Sequence, residues 1–167
     1  SGVMAADRAS DQGIELSTLS PETLSALNQV LPDVWSRGNP VDIIGDAPPE
    51  RYQQVLDICL EDPGVDGAIV ILTPQAMTKP TEVARAVIQS AEKSNKPIMT
   101  SWMGGRQVEK ARSLFNRAHV PDFRTLENAV DAFSYLARYN QNQRLLLQTP
   151  ARLTRGQETP DVEGARL

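Results

Sequence analysis

Apolar residues recur at helical spacing along most of this chain and run unbroken in a few short stretches, so helices and strands alternate. Val3 to Ala9 has a helical composition that Gly13 ends, and Ile14 to Leu19 alternates apolar and polar residues as a short strand does. Ser20-Pro21-Glu22 offers an N-cap with proline at the first helical position, which predicts a helix to about Leu31. After the brief apolar segment from Val41 to Ile44, Pro48-Pro49-Glu50 opens a helix that keeps Tyr52, Val55, Leu56, Cys59 and Leu60 on one face. Pro63-Gly64 breaks the chain. Gly67 to Leu72 is then a continuous apolar run, the pattern of a strand covered on both faces, and it implies a parallel sheet.

The alternation repeats. Thr81 to about Ser94 predicts a helix with Val83, Val87 and Ala91 inward, and Lys96 to Trp102 predicts the next strand. Gly104-Gly105 leads into a helix ending near Ala118 with Val108, Ala111 and Phe115 inward, and Val120 to Phe123 reads as a last short strand. Thr125 caps a final helix that turns Ala129, Phe133, Leu136 and Ala137 to the core and runs to about Leu147. Strand, helix, strand in series predicts a doubly wound α/β domain. From residue 150 onward the apolar periodicity stops, so 1–149 reads as the domain and 150–167 as a linker.

With 167 residues the chain is long enough for one domain with a sizeable core. A formal net charge of -4, with Lys and Arg scattered among Asp and Glu, gives no basic stripe and argues against nucleic acid as a partner. The single cysteine, Cys59, has no internal disulfide partner and reads as a small hydrophobe in a reduced compartment. No apolar run reaches the roughly 18 residues of a membrane span, and the amino terminus lacks signal-peptide architecture, so a cytoplasmic location is expected.

Open α/β sheets bind ligands at the carboxyl ends of their strands, and four polar segments fall where such ends are predicted or beside them. Ser1-Gly2 begins a helix, where free N–H groups and the dipole suit either a plain cap or an anion. Trp102-Met103-Gly104-Gly105 lies between strand and helix, and its glycines serve a tight turn or a close backbone approach to a ligand. Asn39-Pro40-Val41-Asp42 can brace a loop or present Asn39 and Asp42, and Thr73-Pro74-Gln75 ends the strand expected to be most buried. His119, the only histidine, stands at a helix C-terminus and reads as an exposed capping residue. No nucleophile elbow, phosphate-loop lysine motif or metal-ligand spacing occurs, so no catalytic residue and no metal ligand is assigned.

In order along the chain, Gly2-Val3-Met4-Ala5-Ala6-Asp7, Gly38-Asn39-Pro40-Val41-Asp42, Pro63-Gly64-Val65-Asp66, Thr73-Pro74-Gln75-Ala76, Ser101-Trp102-Met103-Gly104-Gly105 and Arg138-Tyr139-Asn140-Gln141-Asn142-Gln143 resemble one family. It is the C-terminal flavodoxin-like ligase domain of NDP-forming acyl-CoA synthetases and of the related bacterial Pat-type protein lysine acetyltransferases. The resemblance implies a three-layer, doubly wound, mostly parallel sheet of flavodoxin-like or Rossmann-like type, as in succinyl-CoA synthetase, here without the family's first strand and most of its glycine loop. It also implies a neighbouring ATP-grasp domain beyond the linker.

The Trp102–Gly105 and Gln143–Pro150 segments incline the reading toward the acetyltransferase branch, in which a fused GNAT domain passes an acetyl group from acetyl-CoA to a lysine of a protein substrate. The alternative is an active ADP-forming acetyl-CoA synthetase, converting acyl-CoA, ADP and phosphate to acid, CoA and ATP; a purely regulatory module is the third reading. On the first reading this piece is a non-catalytic module that positions a ligand or phosphate, and on the third an interaction or regulatory module whose glycines only shape turns. The piece is expected to carry no cofactor itself, while its parent is expected to use acetyl-CoA and ATP or ADP with magnesium. Gly2, Asn39, Asp42, Thr73, Gln75, Trp102, Gly104 and Gly105 are the expected ligand or phosphate contacts. Partners are expected to be the parent's CoA-binding, ATP-grasp and GNAT domains, with self-association through the uncovered sheet edge and no membrane partner.

Overall fold

A computed structural model describes residues 1–45 and 47–147. The elements are α1 (Gly2–Asp11), α2 (Pro21–Val30), α3 (Pro49–Glu61), β1 (Ala68–Leu72), α4 (Pro80–Lys93), β2 (Ile98–Trp102), a 3-10 turn (Arg106–Val108), α5 (Glu109–Arg117), β3 (Asp122–Phe123) and α6 (Leu126–Leu147). Residues 1–136 form one compact unit, and the described residues from 137 onward, the continuation of α6, belong to a second. The predicted linker from residue 150 lies outside the described residues.

The sheet is parallel in the order β1-β2-β3, with Ala68 opposite Ile98, Leu72 opposite Trp102 and Thr100 opposite Asp122. Side chains alternate across it as strand geometry demands. One face joins Leu72, Ile98 and Trp102 to Leu56, Val83, Val87, Ala111 and Phe115 from α3, α4 and α5. On the other, Ile69, Ile71 and Met103 pack with Ala9 of α1 and with Leu126 and Val130 of α6. Helices therefore cover both faces, the α/β layering expected from the sequence. A third cluster holds α2 against α3 through Leu27, Leu31, Trp35, Val55 and Val65.

Helix starts follow the sequence signals. The Ser20 side chain accepts from the Thr23 N–H, and prolines occupy the first turns of α2, α3 and α4. Thr125 Oγ1 accepts from the Asn128 N–H at 3.3 Å at the start of α6. Entry to β1 requires glycine for packing, since a Cβ on Gly67 would lie 2.7 Å from the Pro97 carbonyl oxygen.

Three expectations are corrected. Ile14 to Leu19 is not a strand, because its backbone joins none of the sheet's ladders; Leu19 is buried against α2 and the Ser17 carbonyl accepts from the Asn39 side chain instead. The most buried strand is β2 rather than β1: β2 is flanked on both sides and buried throughout, whereas β1 is an edge strand and half-buried from Ala68 to Ile71. The inward face of α6 fades after Leu136, and side chains from Arg138 to Leu147 are exposed.

Candidate functional site

The carboxyl end of the sheet is built around Trp102. Its indole is fully buried, meets Phe115 edge to face at 4.7 Å between centroids, and donates from Nε1 to the Pro80 carbonyl at 3.3 Å. Such packing fixes the residue rather than offering its ring to a ligand. What it presents at the edge is backbone. Arg112 Nη2 donates to the Trp102 carbonyl at 2.6 Å, and Asp122 Oδ1 accepts from the Trp102 N–H at 3.3 Å and from Thr100 Oγ1 at 3.1 Å. Asp122 also faces Arg112 Nε at 3.6 Å. Burial holds the Asp122 carboxyl above the ordinary carboxylate value, with Arg112 pulling it the other way.

From this anchor Met103 closes back on the sheet, its N–H donating to the Leu72 carbonyl at 2.9 Å. Gly104 takes φ 154°, and a Cβ there would lie 3.0 Å from Pro74 Cγ, so the loops after β2 and β1 touch. Gly105 is exposed, with open space where a side chain would stand. Thr73 and Gln75 are exposed, and the Gln75 N–H donates to Thr78 Oγ1 at 2.9 Å.

Gln75 links this pair of loops to a third. A Cβ on Gly45 would collide with the Gln75 side-chain amide. The segment leading to Gly45 is folded on Ser36, whose Oγ donates to the Pro40 carbonyl at 2.8 Å and accepts from the Asp42 N–H at 3.0 Å. The Asn39-Pro40 bond is cis. Asn39 Nδ2 donates to the Ser17 carbonyl at 3.0 Å, and Asp42 Oδ1 accepts from the Ile44 N–H at 2.9 Å, closing a local turn. Tyr52 is pushed up to about 12 by burial and by the charge of Asp42.

The start of α1 completes the edge. A Cβ on Gly2 would lie 3.2 Å from Pro40 Cβ, and Ser1 makes no side-chain cap. The first N–H groups of this ten-residue helix therefore lack side-chain acceptors. All four predicted segments thus meet in pairs: Gly2 with Pro40, Gly45 with Gln75, Pro74 with Gly104. The sequence reading missed Ser36 as the loop's internal brace, Gly45 as the point of contact with Gln75, and the Arg112–Asp122 pair. Nothing short of the fold connects Arg112 with the carbonyl of Trp102, although Gly45 at the end of an apolar segment was a visible signal.

The donor set of this edge suits phosphate oxygens. It offers uncapped helix N–H groups, backbone beside two glycines, the Asn39 and Gln75 amides and the Thr73 hydroxyl. Ser101 Oγ, fully buried without a hydrogen-bond partner, lies one residue before Trp102. The one carboxylate among the expected contacts, Asp42, has Oδ1 turned to its own loop. His119 is exposed and distant in role: it ends α5 in a left-handed conformation, φ 57°, with its N–H donating to the Asn116 carbonyl and the Val120 N–H to the Phe115 carbonyl.

The family described as the Ligase-CoA domain matches residues 1–146. Acetate–CoA ligase [ADP-forming] I of Archaeoglobus fulgidus is 36% identical over 140 residues, which are 84% of this chain and 20% of that protein. Acetate–CoA ligase [ADP-forming] of Methanocaldococcus jannaschii is 44% identical over 143 residues, 83% of this chain and 20% of that protein. Among solved structures, the apo dinucleotide-forming acetyl-coenzyme A synthetase 1 of Ca. Korarchaeum cryptofilum superposes with a TM-score of 0.80 at 31% identity, covering 90% of this chain and 33% of that one. The chain spans about a fifth of the length of these two curated relatives. The expectation of a Pat-type acetyltransferase is overturned by these matches, the two curated relatives being named ADP-forming acetate–CoA ligases and the solved structure an acetyl-coenzyme A synthetase, and the archaeal relatives lend no support to a bacterial source.

Proposed function

The chain belongs to the Ligase-CoA domain family, and from that premise we propose that it serves as the ligand-positioning domain of an ADP-forming acyl-CoA ligase. The reaction is acyl-CoA, ADP and phosphate to free acid, CoA and ATP. The observation that supports this most is the meeting of α1, the Asn39–Gly45 loop and the loops after β1 and β2 at one edge of the sheet. Gly2, Asn39, Asp42, Thr73, Gln75, Gly104 and Gly105 are the proposed contacts, with Trp102 acting through its anchored backbone.

At this edge the helix start and the glycine backbone orient a phosphate and offset its charge through fixed dipoles, at no cost of reorganisation. Transfer itself is assigned to residues of other domains of the larger protein. CoA, with ADP or ATP and magnesium, supplies the thioester and phosphoanhydride chemistry there. Among the described residues no helix is long and apolar enough to cross a membrane, and a cytoplasmic place for the enzyme is part of the proposal.

The test is ATP formation by the full-length protein that carries this chain, given acetyl-CoA, ADP and phosphate. ATP appearing in step with free CoA supports the reading, and none above background overturns it. Within an active protein, Thr73→Val with Gln75→Leu should raise KM for phosphate about tenfold, the loss of one or two hydrogen bonds to a charged group. An unchanged KM would remove these residues from the site.

A further inference from the structure

Three cations that the sequence scatters are gathered by the fold onto one surface. α4 and α5 pack side by side, and an open groove of about 820 Å³ on this pair is lined by Thr81, Arg85, Lys110, Ser113, Asn116 and Arg117. Lys110, Ser113 and Arg117 are three and seven residues apart, which places them on one stripe of α5. The opposite stripe of that helix, Ala111 and Phe115, is in the core. Arg85 is exposed between the buried Ala84 and Ala86 of α4.

No carboxylate lines this groove, and among the described residues Arg85, Lys110 and Arg117 have no ion-pair partner. Glu82, three residues before Arg85, faces Lys79 at 3.5 Å instead. The fourth cation of the lining, Arg112, is turned inward to Asp122 and the Trp102 carbonyl and contributes no free charge. In a chain of net charge -4 this is a concentrated, uncompensated positive surface. An acidic surface elsewhere would gain from covering it.

From this arrangement we infer that the α4–α5 groove docks an extended acidic segment of a partner protein or domain. The groove is open and its donors are spread over two helices, so they do not converge on a point as a site for one small anion does. Lys110 and Arg117 are separated by about 10 Å along the helix, close to the roughly 9 Å that one three-residue turn of an extended polyproline II segment spans while returning its side chains to the same face. Carboxylates at every third position would therefore meet both cations, while the Asn116 amide supplies a hydrogen bond between them; the Ser113 hydroxyl is already donated to the Glu109 carbonyl at 3.1 Å. This surface uses none of the loops proposed to hold phosphate and stands independently of that reading.

The test is fluorescence anisotropy of a labelled nonapeptide bearing glutamate at every third position, titrated with the whole chain at low salt. Saturable binding that weakens at least about tenfold in Arg85→Glu/Lys110→Glu, that falls with added salt, and that survives Lys93→Glu outside the groove is the expected result. Should the double reversal lose its circular-dichroism signature of folding, Arg85→Gln/Lys110→Gln replaces it, with weakening again expected. The inference is overturned by absence of saturable binding, by equal affinity in wild type and groove variants, or by tighter binding of tripolyphosphate or a single-stranded oligonucleotide than of the peptide.

Discussion

Gly104 and Pro74 stand so close that a Cβ on the glycine would lie 3.0 Å from the proline Cγ, and this contact ties the loop after β2 to the loop after β1. Both loops carry proposed phosphate contacts, and this contact joins the Met103 N–H bond to the Leu72 carbonyl in setting their relative position.

Gly104→Ala should therefore disturb the edge in two ways, through the contact with Pro74 and through a backbone angle that alanine avoids. We expect a loss of about 1–3 kcal/mol in urea unfolding and, in an active full-length enzyme, a higher KM for phosphate. Wild-type stability in the variant would mean that the loops are not coupled there.

Arg112 neutralises a carboxylate that is only 9% exposed, while its own side chain is 20% exposed. Arg112→Leu leaves Asp122 without its cation and should cost about 3 kcal/mol at neutral pH. Because burial already favours the protonated carboxyl in the folded state, the native state gains from protonation of Asp122 as pH falls. The deficit of the variant should therefore shrink on acidification, as read from urea midpoints across the acid range. A deficit independent of pH would show that the arginine acts through packing alone.

Asp62 has the opposite sign. Its carboxylate accepts from the Ser20 N–H, the Thr23 hydroxyl and the Gly64 N–H, which hold it down to about 2 from an ordinary 3.8. The stabilisation is complete above the ordinary value and disappears as pH falls through about 2. Asp62→Asn should lower the urea midpoint at pH 7 and converge with wild type in strong acid; parallel curves at all pH values would refute the carboxylate's role.

His119 closes α5 in the left-handed region, where a β-branched side chain is strained. His119→Ile should cost about 1–2 kcal/mol, whereas His119→Gly should keep wild-type stability. Both are read by thermal or urea unfolding, and a stable isoleucine variant would contradict the conformation.

Cys59 is half-buried, and burial together with Asp62 pushes its thiol up to about 11. Alkylation near pH 8 should be slow in the native chain and rapid in denaturant. Fast native modification, followed by mass, would mean that the α3 face carrying it opens readily.

Much of this was legible in the chain itself because periodicity and punctuation are local. Ser20-Pro21 started α2, the apolar run before Leu72 became β1, and the Gly104-Gly105 pair marked the turn after β2. The sequence also placed the polar segments at strand ends, and their order carried the family. Which strand is most buried was not local: β1 reads as the more hydrophobic, yet it lies at the edge, and only the pairing order makes β2 the centre. Ile14 to Leu19 alternates as a strand should, but a strand exists only with a partner to receive its hydrogen bonds. The same limit applies to the site and to the groove. Single residues announced their chemistry, whereas the approach of Gly45 to Gln75, the grip of Arg112 on Trp102 and the gathering of Arg85 with Lys110 and Arg117 come from contacts between distant segments, which tertiary packing alone decides.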